Sequence, residues 1–382
     1  PIWCINGRSG NIDKSLQPLG PTLKNKAIGI EDKAPMIAAF ALVFCQNNPS
    51  INIAKIPGLT TPVHSWINWK AWSILPKTGA INIAIIKRAV ELAILDIGSP
   101  PARFAWLCVG SQGRKEQLLL TDQDSILVFE DVAVEKYRDV KNYFLRLAKK
   151  TVSNLEIVGY PACPNGHTAS NMIWCKSMTE WMKQYSNWMK IPGEINNDIS
   201  SIFFDYEIAF GEQKIEDSIT DIIFVNTRKN KLFFDYLGNE ALRKLPALSF
   251  FKKINVEETG PNKGKFDIKN RALLPLIDGA RLFVISYNIR GINNTYMRFK
   301  HLAMVDLKNS EIYLNCAEAY QSLTKIKTIE GLRYDNSGQF INLEDLNKVD
   351  KENLKNALNT IKDLEELIWF ATHIFYITHS DG

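Results

Sequence analysis

Two short apolar runs, inside "RFAWLCVG" (103–110) and "DSILVFE" (124–130), constrain what this chain can fold into more than any other feature of it. An apolar run of strand length without alternation fits a strand buried on both faces. The pair therefore predicts the centre of a sheet covered by helices on either side. Gly110-Ser111 closes the first run, and the segment leading to the second carries Arg114-Lys115 and then two aspartates, Asp122 and Asp124. Residues i and i+2 of an extended segment project from the same face, so both carboxylates point one way. Two carboxylates aimed at a common point repel each other unless a cation lies between them. Mg²⁺ is a hard ion that takes one or two carboxylates together with phosphate oxygens. The turn at Gly110-Ser111 offers backbone amides and a hydroxyl to phosphate oxygens. Phosphate donors at one strand end beside a metal platform at the next are the equipment of phosphoryl or nucleotidyl transfer. By itself the D-x-D pair also fits a solvated strand end, so the assignment needs the rest of the string.

The flanks supply helices. In "INIAIIKRAVELAILDIG", Ile83, Ile86, Val90, Ile94 and Ile97 recur at steps of three and four, and Gly98-Ser99-Pro100-Pro101 ends the pattern. "VEKYRDVKNYFLRLAKKTVSNLEI" is amphipathic, and "MTEWMKQYSNWMK" sets Trp181, Tyr185 and Trp188 at helical spacing, which reads as an aromatic core stripe rather than a base-stacking surface. "SIFFDYEIAFG" (201–211) reads as a further strand, and from about residue 215 the pattern is helical almost throughout. The expected architecture is α+β: a small mixed sheet with flanking helices over 79–230, then an all-helical bundle over 235–382. Residues 1–78 form a poorly specified leader with one short helix near 34–46. Because the connection "VNTRKNK" is short and polar, the bundle should pack beside the cleft instead of hanging on a tether.

Composition narrows the function classes. A net charge of +5, spread along the chain without a long Lys/Arg run, disfavours nucleic acid as partner. The longest apolar run, "APMIAAFALVFC", is too short to span a bilayer. Six cysteines, with no C-x-x-C pair and no His read at metal-ligand spacing, fit a reducing cytoplasm. The chain opens at Pro1 without a Met, which reads as a fragment. G-x-x-x-x-G-K-[ST] is absent, and "GSQGRK" lacks the third glycine of a dinucleotide fingerprint.

The string "GSQGRKEQLLLTDQD" resembles the signature of the DNA polymerase beta-like nucleotidyltransferases, and more narrowly the nucleotidyltransferase family related to protein-PII uridylyltransferase. "GYPACPNGHTASN", "FDIKNRALLPLIDGARL" and "NNTYMRF" resemble later blocks of that family and of its C-terminal helical domain, so the likeness covers about residues 79–382. It implies an Mg²⁺-dependent transferase, with Mn²⁺ as the alternative ion. Such an enzyme moves UMP or AMP from UTP or ATP to a hydroxyl, plausibly on a protein in a signal-transduction setting, and releases pyrophosphate. On this likeness Gly110, Ser111, Arg114 and Lys115 bind the nucleotide, and Asp122, Asp124 and Asp205 bind metal and carry catalysis, with Glu207 the substitute should Asp205 face the wrong way. Glu116 and Gln117 are expected to brace the loop, and His167 to be a loop histidine or a phosphate contact. Arg281 and Arg298 are expected to be ion-paired or to face the cleft. None of the five histidines directly precedes an Asp, so the His-Asp hydrolase of bifunctional uridylyltransferases is not evident. The competing readings are a catalytically silent nucleotide-binding signalling module and a small-molecule adenylyltransferase.

Overall fold

The computed structural model describes residues 63–117, 122–192, 202–227, 230–243, 246–249 and 253–373. The helix expected near 34–46 lies outside them. The first element, α1 (Val63–Ile97), begins well before the apolar repeat that announced it and runs through Pro76 and Gly79. The boundary expected at residue 78 thus falls inside a helix.

Next come β1 (Phe104–Val109), the single turn α2 (Gly110–Gly113), β2 (Ser125–Phe129), α3 (Val134–Ile157), β3 (Cys175–Ser177), α4 (Met178–Lys190), β4 (Tyr206–Gly211) and α5 (Gln213–Thr227). The sheet runs β3-β2-β1-β4; β1 is antiparallel to both neighbours, and β2 is parallel to β3. Both apolar runs are buried along their whole length. Alternate residues serve opposite layers. Phe104, Trp106, Cys108, Leu127 and Phe129 pack under α1 and α3. Ala105, Leu107, Val109, Ile126 and Val128 join a second core with Trp181, Tyr185 and Trp188 of α4. Ser177 and Glu180 form a capping box that starts α4 at the end of β3.

The second core continues without a break into the C-terminal helices. These are α6 (Lys231–Leu242), α7 (Leu274–Ser286), α8 (Thr295–Val305), α9 (Ser310–Arg333) and α10 (Lys348–His373), with a two-stranded ribbon of β5 (Phe266–Asp267) and β6 (Phe340–Ile341). Phe266, Leu276, Phe299, Leu323 and Leu364 share one cluster with Leu107 and Val128, so the bundle is packed on the sheet as expected. A π-helical turn, Lys269–Leu273, leads into α7; Asp267 starts it by accepting from the Asn270 amide at 2.9 Å. Among the described residues, no helix is long and apolar enough to cross a membrane.

Candidate active site

The register of the sheet builds the site. Cys108 pairs with Ser125 and Val109 with Tyr206, so the residues just past these pairs meet at one end of the sheet. The Val109 amide donates to Asp124 O at 3.1 Å, and the Gly110 amide donates to Asp205 O at 2.9 Å. Gly110 has φ +64°, a conformation that favours glycine, and a Cβ there would sit 3.4 Å from Asp124 Oδ2. Gly113 is required for a different reason, since a Cβ would drive into the backbone of Asp205.

Asp122 and Asp124 lie in the extended approach to β2 rather than in the strand. Gln123, between them, is buried; it bridges to Ala162, and its Nε2 donates to Tyr160 O at 2.5 Å. Gln117 fixes Asp122 from the other side by donating to its carbonyl at 2.9 Å. Burial, and then the negative charge of Asp122, push the Asp124 carboxyl up to about 6. Cys163 and the positive charges of Lys269 and Arg114 oppose this. Asp124 Oδ1 is buried with no hydrogen-bond partner. A half-buried carboxylate of this kind fits a divalent ion.

Asp205 has the opposite environment. It precedes β4, is fully buried, and holds three guanidinium groups. Arg114 reaches Oδ2 at 2.8 Å, Arg281 spans both oxygens at 2.5 and 3.2 Å, and Arg298 reaches Oδ1 at 2.6 Å. Burial works to raise this carboxyl, but Arg281, Arg298 and Arg114 outweigh it and hold the group well below the usual carboxylate range. The network extends through Arg281 to Asp278 (2.6 Å), through Arg114 to Glu116 (2.7 Å) and from Glu116 to the Thr295 amide (2.5 Å). Three arginines face Asp205, Glu116 and Asp278, so the knot is charge-balanced and ties the sheet to α7 and α8. The sequence placed Asp205 in the site as a metal ligand. The structure brings it there, but with both oxygens committed to arginines.

Lys115, expected on the phosphates, turns away and pairs with Glu207 at 2.7 Å on the other side of β4. Glu207 is therefore no substitute for Asp205. Ser111, Arg114, Gln117 and Asp122 do line one cleft, whose opposite wall is built by the C-terminal region with Lys269, Thr324, Lys327, Thr328, Ser337 and Gln339. Burial, and then the neighbouring Lys269 charge, lower the Lys327 ammonium to about 8. The sequence reading missed both lysines. The only signal was the block "FDIKNRALLPLIDGARL", which carries Lys269 but shows no distance to the carboxylates.

Residues 70–194 match the family model described as "Putative nucleotidyltransferase DUF294", and residues 231–371 match that of the "Putative nucleotidyltransferase substrate binding domain". No curated protein matches the chain. The two matched regions are the two walls of the cleft, and together they show that the chain belongs to this nucleotidyltransferase family, with its nucleotidyltransferase-type and substrate-binding-type domains in tandem.

Proposed function

We propose that the protein is a divalent-metal-dependent nucleotidyltransferase that moves UMP or AMP from UTP or ATP to a hydroxyl on a protein acceptor, as protein-PII uridylyltransferases do. The observation that carries this reading is Asp122 on the wall of a cleft shared with two lysines, with Asp124 two residues on holding one buried carboxylate oxygen unsatisfied. Asp122 and Asp124 would hold Mg²⁺, or Mn²⁺ in its place; the ion, when bound, would neutralise charge on the phosphoryl oxygens. Ser111 would contact the triphosphate from the sheet side, with Gly110 allowing the close approach, while Lys269 and Lys327 hold it from the helical side. Arg114 would set the edge of the phosphate site, though its guanidinium is spent mostly on Glu116 and Asp205. Asp205 would anchor the two domains instead of binding metal.

A second reading, the catalytically silent nucleotide-binding module, draws support from that same commitment of Asp205, because β4 then contributes no third carboxylate. Purified protein incubated with labelled UTP or ATP and Mg²⁺ or Mn²⁺, followed by pyrophosphate assay and mass spectrometry of candidate acceptors, separates the two. Metal-dependent pyrophosphate release that Asp122→Asn abolishes supports the transferase. Tight nucleotide binding without release under any of these conditions supports the silent module.

A further inference from the structure

Beside Asp124 lies a donor set that nucleotidyl transfer does not call for. Asp124, Cys163 and His167 each present a ligand atom within 4.8 Å of the other two. Tetrahedral zinc with the usual bond lengths places its ligand atoms about 3.5 Å apart, so closure requires side-chain adjustment and not refolding. The segment is shaped for it. Cys163 to Gly166 makes a turn closed by the Gly166 amide on Cys163 O at 3.0 Å, and Gly166 has φ +71°. Burial, and then the neighbouring Asp124 carboxylate, push the Cys163 thiol up to about 11, so a thiolate forms there only with a cation bound. The His167 ring stands edge-on to Trp174 and Phe203, and Ser125 donates to its carbonyl at 2.9 Å. Cys163 and His167 are buried, and Asp124 is the partly exposed member through which an ion would enter.

We propose that Asp124, Cys163 and His167 form a site for Zn²⁺, and that Asp124 is shared between it and the Asp122 pair so that the two metals exclude each other. The exclusion rests on the transferase reading above; the zinc site itself does not. Thiolate, imidazole and carboxylate together select zinc or cobalt over magnesium, and three protein ligands leave a fourth position open. On binding, the Cys163 S–H bond breaks, its proton leaves for solvent, and sulfur, nitrogen and oxygen each donate a pair to the ion. Zn²⁺ with one thiolate and one carboxylate is neutral, which suits a half-buried site. Zinc would then act as an off-switch by taking Asp124 out of the catalytic pair.

The test is spectroscopic and needs neither nucleotide nor acceptor. Full-length protein stripped with a chelator is titrated with Co²⁺. We expect one equivalent to bring up a thiolate-to-cobalt charge-transfer band with tetrahedral visible bands, release one proton, and be displaced by Zn²⁺. Cys163→Ser should abolish the charge-transfer band, His167→Gln should weaken cobalt binding at least about tenfold, and Asp122→Asn should leave the spectrum intact. A pale six-coordinate spectrum in the wild type, a band that survives Cys163→Ser, or a band lost in Asp122→Asn would each overturn the site. The wild-type spectrum decides even if a variant misfolds. Sharing is read from Mn²⁺ electron paramagnetic resonance: one equivalent of zinc should release bound Mn²⁺ from the wild type but not from Cys163→Ser, and retention in the wild type would refute the exclusion. Nucleotide transfer without a cobalt–thiolate band defeats only this proposal, whereas the band without transfer defeats only the transferase reading.

Discussion

Asp124 and Asp205 flank the same glycine, one on each side of β1, and their surroundings are opposed. Asp205 has three guanidinium groups on two oxygens; Asp124 has a like charge two residues away and a buried oxygen with no partner. Burial penalises both carboxylates. In one case protein cations cancel the penalty, and in the other they do not. The difference teaches that an acid near a site should be sorted by what already neutralises it. A carboxylate saturated by arginines holds structure, and one left without a cation is poised for a ligand.

The sharpest way to break the comparison is to neutralise each acid in turn. Asp122→Asn and Asp124→Asn should each cut transfer about a thousandfold or more, because the ion loses a charged ligand worth several kcal/mol in the transition state. Asp124→Asn should meanwhile keep or raise the thermal midpoint, since it removes an unpaired buried charge. A large loss of stability in that variant would place Asp124 in the same class as Asp205.

Asp205→Asn should do the reverse, costing about 3–5 kcal/mol in urea unfolding because three buried guanidinium groups lose their shared acceptor. A variant as stable as the wild type but inactive at every metal concentration would restore Asp205 to the metal site. Lys327 offers a finer probe. Its ammonium is lowered to about 8, so it is charged below that pH and neutral above it, and triphosphate affinity should fall as pH rises through 8. Lys327→Met should weaken nucleotide binding about tenfold at pH 7 and flatten that profile, as measured by calorimetry. Lys115→Ala should have the smallest effect, under about 0.5 kcal/mol in stability, since its pair with Glu207 is partly exposed and screened by solvent. A marked rise in nucleotide KM in that variant would return Lys115 to the phosphates.

The sheet and the D-x-D pair were legible in the sequence because strand burial and the two-residue period are local properties of "FAWLCV", "SILVF" and "TDQD". The aromatic stripe of α4 was legible for the same reason. The start of α1 was not, since Pro76 and Gly79 oppose a helix by propensity and only the continuous backbone shows it running through them. The partners of Asp205 were hidden for a different reason. Arg114, Arg281 and Arg298 come from distant segments, and each on its own looks like a surface charge until packing brings them together. Cys163 and His167 stood out as a polar loop, but their closeness to Asp124 depends on Gln123 pairing with Ala162 across the chain.

The knot at Asp205 also bears on heredity. Two of its three arginines come from the C-terminal domain. A gene that lost residues 231–371 would leave Asp205 facing Arg114 alone and one face of the sheet bare. A gene that fused the first domain to a different helical partner would inherit the same deficit unless the newcomer brought two cations to the same point. Shuffled or truncated descendants of this chain would therefore lose stability before their chemistry could be selected.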